Sequence, residues 1–353
     1  MPDMKRSLLL FSLLIVASLP AASPGVVVRE HVFDRALFAE CHASTIAEGT
    51  DGLVVVWFAG TREKNPDVGI WVSRKVEGKW TKPVEIDKGI AAGDDGTKED
   101  FAAWNPVLFQ RPGGDLYLFY KLGLNPREWW GVYKTSSDGG KTWSDRKDLP
   151  KNIFGPIKNK PVLLKDGTLL AGSSTEDKGW RVHFEWTKDW GKTWKRTKAI
   201  NDGKIVGAIQ PALLTFGDDS VMALGRSQQR QIWQSLSKDN GETWSELRLL
   251  DLPNPNSGID AVTTKKGQHV LVYNHTPRGR NPLNVAVSQD GVMWEAAAVL
   301  ESQAGEYSYP AVIQTKDGLI HITYTWLRKR VNHVVLDLEK LPRKLILQGK
   351  WPR

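Results

Sequence analysis

The sequence predicts an all-β fold, a six-bladed β-propeller of four-stranded antiparallel blades with Asp-box turns, on three observations. A turn-forming box recurs along the chain, and its closing tryptophan returns about every fifty residues. Between boxes run short segments rich in Val, Ile, Thr and aromatics, separated by Asp-Gly or Gly-Gly turns. Such segments form antiparallel hairpins. A repeat of this period marks a solenoid, propeller or array, and four short strands per repeat match one propeller blade.

The boxes come first because they set the repeat. Ser136-Ser137-Asp138-Gly139-Gly140-Lys141-Thr142-Trp143 is one full copy, Thr187-Lys188-Asp189-Trp190-Gly191-Lys192-Thr193-Trp194 a second, and Ser237-Lys238-Asp239-Asn240-Gly241-Glu242-Thr243-Trp244 a third. Residues 73–80 form a degenerate copy without the Asp, and Ser288-Gln289-Asp290-Gly291-Val292-Met293-Trp294 is one residue short. In each box the Ser or Thr and the Asp can hydrogen-bond the backbone of a tight turn, Gly supplies a positive φ, and Trp fills space between neighbouring strands. These roles are structural, so chemistry is sought between the boxes.

Residues 1–25 read as a secretory signal, with Lys5 and Arg6 ahead of the apolar run 8–19 and small residues at 21–23 for cleavage. That run is short for a membrane span. Residues 26–340 are the propeller. Residues 26–33 are a strand that would complete the last blade and close the ring without an open edge. Five box-bearing units, plus a last one over 309–315, 320–326 and 331–336, make six. The first box interval is stretched to 63 residues by a polar, glycine-containing insertion over 87–101, suited to a loop on one face. Residues 341–353 are a basic C-terminal tail.

Composition bounds the function classes. Cys41 is the only cysteine, so no intrachain disulfide forms and stability must come from the core, which roughly 330 residues bury easily. A cysteine-poor exported chain fits a bacterial periplasm or exterior, with a secreted or periplasmic location and no membrane association after cleavage. The formal charge of +8 favours an anionic ligand. Many lysines, however, lie in the box turns, and no nucleic-acid motif accompanies them. Nothing resembles a metal cage, a phosphate loop or a serine nucleophile elbow, so no metal and no cofactor are expected. The chain is expected to act as a monomer.

The repeated Ser/Thr-x-Asp-x-Gly-x-x-Trp box resembles the Asp-box, or BNR repeat, of the sialidase (neuraminidase) superfamily, over essentially the whole chain after residue 25. The resemblance implies a propeller exo-glycosidase that binds a substrate carboxylate with three arginines. It also implies a tyrosine nucleophile assisted by glutamate and an aspartate acid/base, an exception to the usual two-carboxylate scheme. Gly60-Thr61-Arg62 followed by Asp67 resembles the loop carrying that aspartate. Residues 220–226 resemble the strand ending in one arginine, Arg226. Arg280 resembles another, with Arg278 its rival. Glu306-Tyr307-Ser308-Tyr309-Pro310 resembles the nucleophile segment, with Tyr309 at the nucleophile position. There are two departures. His42 stands where the first arginine is expected, and Gln210 stands where the glutamate is expected. Since Gln cannot accept a proton from tyrosine, Glu306 or Glu176 would take that role, or the chemistry differs.

The residue types suit an acidic sugar. Arginine forks bind carboxylates in bidentate fashion, which fits Arg62, Arg226 and Arg280, although each also fits an ordinary ion pair. A tyrosine nucleophile works as phenolate, a form that adjacent arginines favour. Asp67 serves as acid/base or closes an Asx-turn. His42 serves as base, acid or carboxylate donor, or packs in the core. Asn105, Glu176, Arg181 and His275 lie in polar clusters beside Trp104, Trp180 and Asn274, as a sugar site requires, and Trp129 and Trp130 form the expected stacking pair. The resemblance, with these residue types beside it, therefore implies an exported exo-glycosidase removing a terminal acidic sugar, sialic acid or a relative, from a glycan. Two alternatives stand beside it: a uronate-polysaccharide lyase or rhamnosidase using His42 and Tyr309, and a carbohydrate-binding propeller without catalysis.

Overall fold

The structure, a computed structural model, describes residues 24–92 and 96–352. The export signal expected over 1–25 thus lies, but for its last two residues, outside the described residues. Among the described residues the chain forms six sheets of four or five antiparallel strands and one two-stranded hairpin. It is a six-bladed β-propeller.

Each blade is a meander running outward from the channel. Blade one comprises Glu40–Gly49, Gly52–Gly60, Gly69–Val76 and Lys79–Trp80, with Val84–Asp87 also pairing its third strand. Blade two is Ala103–Gln110, Leu116–Leu122, Trp130–Ser136 and Lys147–Asp148; blade three is Val162–Leu163, Leu169–Thr175, Arg181–Thr187 and Lys195–Arg196. Blade four is Ala208–Thr215, Val221–Ser227, Gln231–Ser237 and Arg248–Pro253. Blade five is Asp260–Thr263, His269–Tyr273, Leu283–Ser288 and Trp294–Glu301. Blade six is Tyr307–Gln314, Ile320–Trp326 and Arg330–Leu336, and its fourth strand is the N-terminal Val26–His31.

The boxes are turns between third and fourth strands. In blade two, Ser136 Oγ donates to Asp138 Oδ1 at 2.8 Å, Gly140 N donates to Ser136 Oγ at 2.8 Å, and Thr142 N donates to Asp138 Oδ1 at 2.9 Å. Asp189 and Asp239 repeat the pattern with Thr193 and Thr243. Hydrogen bonds from Thr142 hold the Asp138 carboxyl well below the usual range. The box tryptophans pack on the preceding blade. Trp194 meets Phe119 edge-on at 6.2 Å, and Trp244 stacks on Phe184 at 3.6 Å. Such pairs contribute about 0.5–1.5 kcal/mol each beyond area burial, so each box also cements two blades.

Two expectations need correction. The insertion over 87–101 is not a plain loop: Ile90–Ala92 and Lys98–Asp100 pair as a small hairpin. Nor is 341–353 a tail without a place. Lys344–Leu345 adds a strand to blade five, Ile346 is buried, and Trp351 packs against His275 at 5.1 Å.

A half-buried relay of side chains joins the closing strand to its neighbours. Glu30 of the N-terminal strand accepts from His333 Nδ1 at 2.8 Å, from Trp80 Nε1 at 2.9 Å and from Lys75. His333 Nε2 lies 2.9 Å from His321 Nδ1. Burial raises the Glu30 carboxyl, but these three donors overcome it and hold it at about 2. Burial and the neighbouring His333 push His321 down to about 4, and burial also lowers His333. All three folded-state values lie below the unfolded ones, so each group's contribution is present above its unfolded pKa and is lost as pH falls towards the folded value. The histidines act first, between about pH 6.5 and 4. His321 is expected to account for roughly 2–3 kcal/mol of the stability lost over that interval, beside His42, His269, His275 and His333, which burial also lowers. His321→Gln should lessen the calorimetric loss by about that amount, and an unchanged slope would exclude this role for His321.

Candidate functional site

The site is made by a repeated irregularity on the innermost strands. Where blades one, two, four and six begin, the register between first and second strands slips, at His42/Thr45, opposite Phe119/Lys121, at Ile209/Ala212 and at Ser308/Ala311. At each slip one residue has a left-handed backbone: Ala43 (φ 53), Asn105 (φ 43), Gln210 (φ 57) and Tyr309 (φ 51). Lys158 (φ 68) does the same just ahead of blade three. Such bulges re-aim side chains, and strained non-glycine backbone gathers at functional sites. Three of these residues precede proline (Pro106, Pro211, Pro310), which has no N–H to leave unpaired in the broken ladder.

Tyr309 is the centre of the cluster. The His42 ring centroid lies 4.2 Å from its own, and the guanidinium carbons of Arg226 and Arg280 lie 5.3 Å and 5.4 Å from its ring centre. A Cβ on Gly258 would sit 3.2 Å from the same ring, so a larger residue at the start of blade five would press on Tyr309. Lys158 is buried beneath, its ammonium donating to Ile259 O at 2.9 Å and to Pro310 O. Burial pushes Lys158 down to about 7. His42 is buried, with Nδ1 2.9 Å from Thr325 Oγ1. Burial, then the charges of Arg328, Arg280, Arg226 and Lys158, hold it well below the usual histidine range. Its imidazole is neutral at pH 7.

Arg328 is the member that sequence reasoning missed. It sits in the turn after Ile320–Trp326, with its Nε donating to Glu306 at 2.9 Å and its Nη1 to Glu63. Arg280 Nη1 donates to the same Glu306 oxygen at 2.6 Å. Burial raises the Glu306 carboxyl, but Arg280 and Arg328 outweigh it and keep it below the usual range. Glu306 is therefore an ionised brace for two arginines rather than a free partner for Tyr309. The arginine-rich run 328–330 was the available signal.

Three adjoining depressions open around these residues. One, of about 510 Å³, is walled by Tyr309, Arg226, Gln210, Asn105, Trp104, Trp129 and Glu176, with Glu63, Lys64 and Arg127 at its rim. A second, of about 700 Å³, is lined by Arg62, Arg280, Glu306 and Arg328 and shares Glu63 and Lys64 with the first. A third, of about 400 Å³, holds Arg181 and His183 and shares Arg127, Trp129 and Glu176 with the first. Gln210 Oε1 and Arg226 Nε are buried without a protein partner. Burial raises the Glu176 carboxyl, with Arg226 and the Trp180 indole opposing it. Arg226 also lies 4.9 Å from the Trp180 ring.

Not every sequence candidate reaches this place. Asp67 accepts from Thr61 N and Thr61 Oγ1, both at 2.8 Å, and lines a separate hollow with Glu85, Lys88 and Asp100. It closes a turn. Arg278 is exposed in a loop, and Arg280 takes the ring position. His275 bonds Gly349 O at 3.0 Å and anchors the C-terminal segment. Trp129 is buried against Trp104 at 6.1 Å, and Trp130 donates to Asp148 at 3.2 Å, so the two do not form an exposed stacking pair.

Comparison with known proteins agrees with this architecture. The sequence profile of the BNR repeat-like domain matches residues 51–322. A Dyadobacter fermentans protein of unknown function superposes with TM-score 0.73 at 17% identity, covering 91% of this chain and 100% of that one. The Hadza microbial sialidase Hz136 gives TM-score 0.72 at 16% identity, with 86% and 67% coverage. The intramolecular trans-sialidase of Ruminococcus gnavus, solved with oseltamivir carboxylate, gives TM-score 0.71 at 13% identity, with 88% and 97% coverage. These identities speak to the fold. A search of curated proteins found no match.

Proposed function

This chain belongs to the BNR repeat-like domain family, and on that footing we propose that it is a sialidase-like exo-glycosidase acting on a terminal acidic sugar. The observation that carries this reading is Tyr309, buried on a left-handed bulge with the guanidinium groups of Arg226 and Arg280 against its ring and neutral His42 beside it. Arg226, Arg280 and Arg328 supply the forks for a sugar carboxylate. Arg328 takes the place left by the arginine absent at His42.

The chemistry follows from the placement. The phenolic oxygen of Tyr309 attacks the anomeric carbon, and with Nδ1–H donated to Thr325, His42 Nε2 accepts the phenol proton. Glu176, its carboxyl raised by burial, donates a proton to the departing oxygen, in the role first given to Asp67. The same residue then takes a proton from the water that attacks the anomeric carbon, and His42 returns its proton to the departing Tyr309 oxygen, which restores the starting state with retention. The run over 1–25 is read as an export signal, so the substrate is proposed to be an external glycan.

His42 also favours a second reading, a lyase in which His42 and Tyr309 remove a proton beside a uronate carboxylate neutralised by arginine. The two are separated by incubating the protein with aryl sialosides, aryl uronides and uronate polymers. Release of the aryl alcohol supports hydrolysis. New ultraviolet absorbance from an unsaturated uronate supports elimination. If every substrate stays intact over long incubation, neither holds.

A further inference from the structure

Resting on that reading, we infer that the depression on blade three is a second subsite, which takes the sugar next to the cleaved bond when that sugar carries a sulfate or carboxylate group. The first support is continuity. Glu176, the proposed proton donor, lines both this depression and the one that holds Tyr309. A bond whose leaving oxygen meets Glu176 therefore puts the acidic sugar on the Tyr309 side and its neighbour on the blade-three side.

The second support is the wall chemistry. Arg127, Arg181, Arg196 and Lys198 face the depression against the carboxylates Glu176 and Asp177 alone. Two of the cations are held in place: Arg181 Nη2 donates to Asp177 at 3.1 Å, and Arg196 Nη1 donates to Asn152 O at 2.7 Å. Arg181 Nε remains buried without a protein partner. His183 belongs to the same lining, with Nε2 2.8 Å from Glu185 Oε1. Because the Glu185 carboxylate only accepts, Nε2 carries the hydrogen, and this fixes the ring. Preoriented forks of this kind recognise anionic groups, and Phe154, packed edge-on to His183 at 6.0 Å, offers apolar surface to a sugar ring.

Arg196 and Lys198 are exposed, so replacing them spares the fold. Binding of N-acetylneuraminic acid, of an oligogalacturonate, of a sulfated heparin disaccharide and of a neutral dextran oligosaccharide would be titrated by calorimetry with the wild type and with the Arg196→Gln/Lys198→Gln protein. The double substitution should weaken the oligogalacturonate, the sulfated disaccharide or both by about tenfold. The monosaccharide should change less than twofold, and the neutral chain should bind poorly throughout. Which anionic oligosaccharide responds identifies the anion. Equal affinities of both proteins for both anionic oligosaccharides would overturn the subsite while leaving the Tyr309 reading intact. Loss of monosaccharide binding in Arg280→Gln but not in the double variant would confirm that the two sites are separate; failure of the wild type to bind any acidic sugar would instead sink the reading on which the subsite rests.

Discussion

On the proposed reading, Tyr309→Phe should lower kcat on an acidic glycoside by on the order of 10³-fold or more, because it deletes the oxygen assigned to form the covalent link to the sugar. The substitution is mild for the fold. The phenyl ring keeps its contact with His42 at 4.2 Å and its place against Arg226 and Arg280. The bulge residue remains an aromatic of the same shape. Substrate affinity, set mainly by the arginines, should therefore change much less than kcat. Steady-state kinetics with an aryl glycoside of the acidic sugar reads both quantities, and a variant within tenfold of the wild-type kcat would remove Tyr309 from the chemistry.

The largest expected effect on stability lies at Glu185, which is completely buried in blade three. Its carboxylate accepts from Phe154 N at 3.0 Å, Gly155 N at 2.6 Å and His183 Nε2 at 2.8 Å. Lys121 of blade two is buried nearby, with Nζ donating to Pro156 O at 3.0 Å. Burial lowers Lys121 to about 7 even though the charge of Glu185 opposes the shift. Glu185→Ala removes that charge and orphans three donors at once. A buried charge network broken on one side costs about 3–5 kcal/mol, so the urea midpoint should fall with the slope of the transition unchanged. A loss under about 1 kcal/mol, typical of an exposed pair, would show that water replaces the carboxylate.

Much of the fold was legible because its signals are local. A box turn is built from residues within eight positions of one another, as the bonds among Ser136, Asp138, Gly140 and Thr142 illustrate. Repetition of such turns announces blades, and the valine-rich segment 26–33 announces a closing strand. The candidate site was legible only in part. Arg226, Gln210 and Tyr309 lie near strand ends and Arg280 in the loop ahead of Leu283–Ser288, in stretches that can be read by motif. Arg328 was not legible: it meets Glu63 across 265 positions of sequence, and only the closed ring brings blade six beside blade one. Asp67 was misplaced for the opposite reason. Its turn with Thr61, six residues away, is a local bond that competes with a catalytic role and takes the side chain elsewhere.

Local chemistry by itself thus determined the repeat, the blade count and the turn structure, since each depends on neighbours in the chain, while the tyrosine at the head of blade six was read from the resemblance of its segment. Only the tertiary structure decided which charged groups surround that tyrosine, that Glu306 is consumed by two arginines, that His42 is neutral, and that Glu176 stands between two depressions. Those properties arise where six blades converge on one channel. Burial and electric field there are sums over residues that lie far apart in sequence and are joined by no local rule.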